Sequence, residues 1–368
     1  MIPVSVLTGF LGSGKTTLLG HLLRQPGFAR TAVLINEFGE IGVDHELVET
    51  SDDSFVELQT GCLCCKVRND LAQTLAEMLC RRDRGELPQF DRIVIETSGL
   101  ADPAPILQTL MTDPNIAGRL ALGGVVTTVD AVNGSGTLGR EEISAKQVAF
   151  ADRLVLTKSD LAGAAQPELL DRLTKLNATA PVLHAQHGRI DPRHVFDSGL
   201  YDPNTKSLDA KNWLTEEGPP KHVHDRHDAE ITTYALVREQ PMRAVALMLF
   251  LEALAEHCGA DLLRLKGIVG IAECPDRPAV LHGVQHVFHA PAWLDRWPSA
   301  DRRSRLVFIT RRIPRGWVEA LLVALEAEVG EVQANALRTD CATTYQSSRP
   351  GNRPGSASGA GSAAIRDP

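Results

Sequence analysis

Gly9-Phe10-Leu11-Gly12-Ser13-Gly14-Lys15-Thr16 follows the apolar run Ile2 to Leu7 and opens into the helix-forming stretch Thr16 to Leu23. A G-x-x-x-x-G-K-[ST] pattern between strand and helix is a phosphate cradle, because the helix N-terminus offers free N–H groups and a positive dipole end to an anion. Average composition produces this pattern by chance in about one such chain in a hundred, so a glycine-rich turn without a ligand is the weaker reading. Gly9, Gly12 and Gly14 let the backbone wrap the phosphates, Lys15 reaches the β and γ oxygens, and the Thr16 hydroxyl is placed to ligate Mg²⁺.

Downstream of this loop, apolar strands recur at Ala32 to Ile35, Arg92 to Ile95, Gly124 to Val129, Leu154 to Leu156 and Val182 to Leu183. Helical segments such as Asn69 to Arg81 and Ala104 to Met111 lie between several of them. That alternation predicts an α/β fold, a P-loop NTPase with a doubly wound, mostly parallel sheet. Periodicity then fails from about Tyr201 to Asp228, where Pro, Gly, Asp and His accumulate as in a linker. A second, smaller α+β domain is expected from Ile231 to Val237 (strand), Met242 to His257 (helix), Leu262 to Ile271 and Val280 to Phe288 (strands), Leu306 to Ile309 (strand) and Trp317 to Leu325 (helix). The expected division is a nucleotide domain over 1–200, a His-rich linker over 201–228, the α+β domain over 229–330 and a mostly disordered tail over 331–368.

Bulk properties narrow the function. The chain has 368 residues, 43% hydrophobic and 23% charged, with a formal net charge of −8. Two domains suit that length, and the negative charge without any basic run argues against a nucleic-acid partner. The longest apolar stretch, Ala244 to Ala255, contains Glu252 and is shorter than the roughly 20 residues a membrane span needs. The N-terminus has no basic region before its apolar run, so the reading is a cytoplasmic protein with no membrane partner.

Two further motifs choose the nucleotide. The strand ending at Ile95 runs into Glu96-Thr97-Ser98-Gly99, where a carboxylate at the strand's C-terminal end addresses Mg²⁺ and Gly99 lets backbone approach the γ-phosphate. Thr157-Lys158-Ser159-Asp160 also follows an apolar strand. A carboxylate at Asp160 accepts both the N1–H and the 2-amino hydrogens of guanine, which adenine lacks, while the Lys158 stem packs on the ring. GTP is the expected nucleotide.

Three of the seven cysteines crowd into Gly61-Cys62-Leu63-Cys64-Cys65. A disulfide framework spaces its cysteines apart, so reduced thiols for metal or redox work fit better. Cys62, Cys64 and Cys65 offer three soft ligands for Zn²⁺ or Cu⁺ and leave a tetrahedral ion one open position, as suits a site that exchanges its metal. Candidates for the fourth ligand are Glu37 and Glu40 of Asn36-Glu37-Phe38-Gly39-Glu40, with Glu40 first; Glu37 is also a candidate to orient water or stabilise Mg²⁺. Competing readings are structural cysteines in a turn and a redox-sensing thiol. His222, His224 and His227 in the linker form a secondary, weak metal tract or a plain polar loop; His282, His286 and His289 lie near a predicted strand, the first two spaced to share one face, and are read as structural or interface residues in preference to metal ligands.

In this order and spacing, Gly-Phe-Leu-Gly-Ser-Gly-Lys-Thr-Thr-Leu-Leu, Asn-Glu-Phe-Gly-Glu, Gly-Cys-Leu-Cys-Cys, Glu-Thr-Ser-Gly and Thr-Lys-Ser-Asp closely resemble the CobW family of metal-handling GTPases. Leu265-Lys266-Gly267 and His282-Gly283-Val284-Gln285 resemble that family's C-terminal module, so the likeness spans roughly residues 2 to 327. The resemblance implies a GTPase that carries zinc on its C-x-C-C thiols and passes it to a client metalloprotein. It assigns phosphate binding to Gly12 through Thr17, Ser13 and Thr17 included, Mg²⁺ to Thr16, guanine to Lys158 and Asp160, and metal to Cys62, Cys64 and Cys65. Lys15, Glu37 and Glu96 are the expected catalytic residues, with GTP, Mg²⁺ and Zn²⁺ as ligands and a client or second subunit, as in a homodimer, completing the site. Thr157 departs from the Asn that many GTPases carry, which is expected to loosen the grip on nucleotide. Rival readings are a GTPase serving cobalt or iron maturation and a zinc store or sensor whose nucleotide is structural.

Overall fold

The computed structural model describes residues 1–36, 56–59, 67–161, 166–186, 189–196 and 231–347. Glu37, Glu40, Cys62, Cys64, Cys65, His222, His224 and His227 lie outside the described residues, as does 348–368.

Apolar runs buried on both faces demand layers on both sides of a sheet, and the first domain supplies them. Its strands are β1 (Ile2–Gly9), β2 (Thr31–Asn36), β3 (Val56–Gln59), β4 (Arg92–Thr97), β5 (Leu120–Asp130), β6 (Arg153–Thr157) and β7 (Val182–His184). They form a wholly parallel sheet in the order β3-β2-β4-β1-β5-β6-β7. Helices α1 (Lys15–Leu23), α2 (Val67–Asp83), α3 (Ala104–Thr112), α4 (Gly134–Arg140), α5 (Glu142–Phe150), α6 (Gln166–Leu176) and α7 (Pro192–Phe196) cover it. Alternation along β1 sorts the core. Val4 and Val6 join Leu75, Leu107 and Phe150 on one face, whereas Leu7 joins Leu18, Phe28 and Phe196 on the other.

In the second domain the sheet is antiparallel. Strands β8 (Ile231–Arg238), β9 (Leu262–Ile271), β10 (Cys274–Val284), β11 (Val287–Phe288) and β13 (Ser304–Arg311) lie in the order β11-β10-β9-β13-β8, and β12 (Ala292–Trp293) pairs with β10. Helices α8 (Ala244–Cys258) and α9 (Arg315–Ser347) pack on one face through Phe250, Leu254, Val318 and Leu322 against Leu236, Leu265 and Phe308. The opposite face meets the first domain, where Ile231, Leu263, Val284 and Ile309 enter the core beside Phe150 and Leu107.

Two sequence expectations change. Val280 to Phe288 is a hairpin rather than one strand: β10 stops at Val284, Gln285 takes a φ of 55°, and β11 pairs back. His286 therefore sits in the turn, and only His282 lies on β10. The tail expected from 331 is helical as far as Ser347, because α9 continues without a break. Ala, Gln, Leu, Glu and Arg dominate the start of that stretch, and neither Gly nor Pro occurs between Gly330 and Pro350. Among the described residues, no helix is long and apolar enough to cross a membrane.

Candidate functional site

Parallel strands deliver their C-terminal ends to one edge, and ligands of open α/β sheets bind there. At this edge β1 turns into the glycine loop. Gly9, Gly12 and Gly14 have φ of 141°, 72° and 86°, left-handed values that a side chain resists. At Gly9 a Cβ would also lie 2.3 Å from the Thr128 hydroxyl and 2.5 Å from its carbonyl oxygen, so β5 leaves no room for one. The loop feeds α1, whose first residues Lys15, Thr16 and Thr17 keep N–H groups that make no bond within the helix.

The polar side chains of the loop are already engaged. Lys15, 9% exposed, folds back so that Nζ donates to the Gly9 carbonyl at 2.9 Å and approaches that of Phe10 at 3.4 Å. The Thr16 hydroxyl donates to Glu96 Oε1 at 2.7 Å, which brings the two expected Mg²⁺ ligands together from opposite sides of the β1–β4 pair. Their oxygens, a hydroxyl and a carboxylate that is 2% exposed, are the hard donors that Mg²⁺ takes. Beneath them a row of buried hydroxyls ties the strands: Thr97 donates to Thr8 Oγ1 at 2.8 Å, and Ser13 and Thr128 share a bond of 2.7 Å.

Gly99 completes the mouth. A Cβ there would sit 2.7 Å from the Leu11 nitrogen and 2.8 Å from its Cα, so the Glu96-Thr97-Ser98-Gly99 turn packs directly on the glycine loop. On the other flank, Lys158 Nζ donates to the Gly12 carbonyl and to Asp130 Oδ2, each at 2.8 Å, and adopts a φ of 55° at the end of β6. Asp160, two residues on, is exposed at the rim of the same edge. Thr157 makes a tether of its own: its hydroxyl donates to the Ser13 carbonyl at 2.7 Å, with the Val129 carbonyl at 3.2 Å as second acceptor. A threonine thus fastens the glycine loop to β6 without a side-chain amide.

Sequence reasoning missed Asp130 and Gln147. Asp130, at the C-terminal end of β5, accepts from Lys158, from the Val132 and Asn133 N–H groups and from the Asn133 side chain. Burial works to raise its carboxyl, but the Lys158, Asn133 and backbone hydrogen bonds prevail and hold it below the ordinary carboxylate value. Its signal was available, since it stands at a strand end just as Glu96 does. Gln147 lies in mid-helix and carries no motif. Both line a cavity of about 270 Å³ along the outer edge of the glycine loop, with Leu11, Ser13, Thr128 and Lys158.

β2 ends at Asn36 in register with Thr97, and β3 ends at Gln59 in register with Ile35. Both strands therefore end on the side of the sheet that carries Glu96. Among the described residues, no group of three His, Cys, Asp or Glu is placed to hold a metal.

Residues 3–184 match the family described as CobW/HypB/UreG, nucleotide-binding domain, and residues 231–326 match the cobalamin synthesis protein cobW C-terminal domain. The chain is 36% identical to the zinc chaperone YjiA of Escherichia coli over 324 residues, covering 88% of this chain and 98% of that protein. It is 32% identical to the zinc chaperone CobW of Pseudomonas aeruginosa, over 85% of this chain and 88% of the relative. The crystal structure of the Zn(II)-bound YjiA GTPase superposes with a TM-score of 0.67 at 32% identity, covering 88% of this chain and 98% of that one.

Proposed function

Because the chain belongs to the CobW family, with the CobW/HypB/UreG nucleotide-binding domain followed by the CobW C-terminal domain, we propose that it is a GTP-hydrolysing metallochaperone. In this reading it binds zinc on Cys62, Cys64 and Cys65, with Glu40 as fourth ligand, and transfers it to a client protein. One observation carries the coupling between nucleotide and metal. β2 and β3 both end on the same side of the sheet as Glu96, which supports a metal site within reach of the nucleotide. The relatives named zinc chaperones support the choice of cargo.

The chemistry follows from the residues at that edge. The N–H groups at the start of α1 receive the phosphates, and Lys15 exchanges the Gly9 carbonyl for phosphate oxygens. Thr16 and Glu96 would hold Mg²⁺, which when bound neutralises charge on the β and γ oxygens. Gly99 presents backbone to the terminal phosphate, and Lys158 and Asp160 receive guanine. Glu37, the residue after β2, orients water for attack. Loss of the γ-phosphate then relaxes the Glu96–Gly99 turn and, in this reading, weakens the hold on the metal. Couplings of this kind amount to about 1–3 kcal/mol, roughly 5- to 150-fold in affinity, so a docked client completes the release.

The test is Zn²⁺ affinity by competition with a chromophoric chelator, for protein loaded with a GTP analogue, GDP or nothing, beside a C62A/C64A/C65A variant. One tight Zn²⁺ whose affinity changes with nucleotide and vanishes in the variant is the expected result. Affinity that ignores nucleotide, or survives the variant, rejects the mechanism. Co²⁺ in the same assay separates zinc handling from a role in cobalt maturation.

A further inference from the structure

We propose that Gln147 is a positioning residue for the backbone that meets the terminal phosphate, an inference that rests on the GTPase reading above. Gln147 lies on α5 with no exposed surface. Its side-chain Nε2 donates to the carbonyls of Gly99 and Ala101, both at 3.1 Å. Two carbonyl acceptors fix the orientation of the amide, since only its nitrogen can serve both. The Ala101 N–H donates to the Ser98 carbonyl at 3.0 Å, so Gln147 grips a turn that is already closed on itself. Its own backbone carbonyl accepts the Thr127 hydroxyl at 2.8 Å, which anchors the helix to β5 next to the glycine loop.

The consequence lies in the stacking order. Gly99 packs so closely on Leu11 that a Cβ would come within 2.7 Å of the Leu11 nitrogen. Gln147 stands behind that turn and the glycine loop in front of it, leaving the Gly99 backbone little freedom. Backbone dipoles aimed at developing charge work best when they need no reorganisation, and displacements of about 1 Å are costly. A neutral double donor suits this position. Glutamate would set a carboxylate oxygen against two carbonyl oxygens, and methionine would leave both carbonyls without their donor. GDP lacks the phosphate that meets this turn, so its binding should hardly depend on Gln147.

The experiment uses the full chain and compares wild type, Gln147→Met and Gln147→Glu for GTP turnover and for affinity toward GDP and a non-hydrolysable GTP analogue. Affinity for GDP should stay within about twofold, while kcat and analogue affinity should fall roughly 10- to 100-fold in the methionine variant, the range given by losing one or two buried hydrogen bonds, and further in the glutamate variant. Equal losses for both nucleotides would reduce Gln147 to a packing residue, and unchanged values would remove any role; either result overturns the proposal. Wild type that turns over no GTP and binds no analogue instead rejects the GTPase reading, and this proposal with it. Should both variants fail to fold, amide hydrogen exchange on wild type decides. Segments 98–101 and 144–148 should exchange more slowly with the GTP analogue than with GDP, and identical exchange would overturn the proposal.

Discussion

At Thr157 a single hydroxyl holds the glycine loop to β6, and the cost of removing it follows from what it leaves behind. Thr157→Val keeps the shape but strands the buried Ser13 carbonyl, at a cost of about 1–2 kcal/mol in the loop conformation that binds phosphate. Affinity for GDP should fall about 5- to 30-fold by fluorescence titration. An unchanged affinity would mean that Thr157 is filler. Asp130 presents a milder case, because its partner Lys158 is 39% exposed and water screens the pair. Asp130→Asn should therefore weaken guanine nucleotide binding only about 3- to 10-fold, as measured by titration with GDP, and high salt should shrink the gap between the two proteins. Gly9 to Thr17, Glu96, Gly99, Lys158 and Asp160 could be proposed from the sequence because each stands at a fixed offset from an apolar strand, and the structure brings them to one sheet edge. Asp130 obeys the same rule but sits in no familiar string, and Gln147 was illegible because its job depends on which loop happens to pass its helix.

Elements explain which parts of the fold the sequence could announce. Parallel strands covered on both faces are continuous apolar runs, and β1, β4, β5 and β6 show up as such. The β10–β11 hairpin escaped notice because its turn is made by Gln285 at a φ of 55°, with no Gly or Pro to mark it at that residue. The far half of α9 escaped because alanine, serine and threonine suggest a low-complexity tail even where helix propensity suffices. The turn from Glu96 to Gly99 is the element whose fit is tightest. Its glycine has no need of a left-handed φ; what it requires is the missing Cβ, since the neighbouring atoms are Leu11 backbone and cannot swing aside. Gly99→Ala should therefore leave the melting temperature within a few degrees while GTP turnover drops at least about tenfold, as the turn retreats from the glycine loop. A mutant that melts much earlier, or that turns over normally, would contradict this account.

On the scale of the molecule, the two sheets are locked by charge as well as by apolar contact. Asp152 accepts from the Val125 N–H at 2.8 Å and pairs with Lys266 at 2.6 Å and with Arg264, whose guanidinium also reaches the Phe150 carbonyl at 2.7 Å. All three charged side chains are at most 6% exposed. Gln108 donates to Gln285 at 2.7 Å across the same seam. Lys266 and Gln285, which the sequence displays only as marks of a C-terminal module, thus prove to be seam residues, and His282, read from the sequence as a structural or interface residue, pairs in register with Lys266. Removing the carboxylate should be far worse than its formal charge suggests, because two cations would stay buried without their counterion; Asp152→Asn should cost about 3–5 kcal/mol in urea unfolding. Burial tends to raise the Asp152 carboxyl, yet Arg264 and Lys266 hold it below its ordinary 3.8, so its contribution is intact above that value and is lost only in stronger acid. His282 acts at milder pH. Burial, reinforced by the Lys266 and Arg264 charges and opposed by Asp152, pushes it down from 6.5 to about 3, with His289 adding slightly to the shift. The unfolded chain therefore takes up a proton below 6.5 that the folded chain refuses until about 3, and stability must fall as pH drops through that window. The slope from one such group is at most about 1.4 kcal/mol per pH unit. Urea midpoints between pH 8 and pH 4.5 should decline more steeply for wild type than for His282→Asn, and parallel curves would show that His282 titrates as freely in the seam as in water.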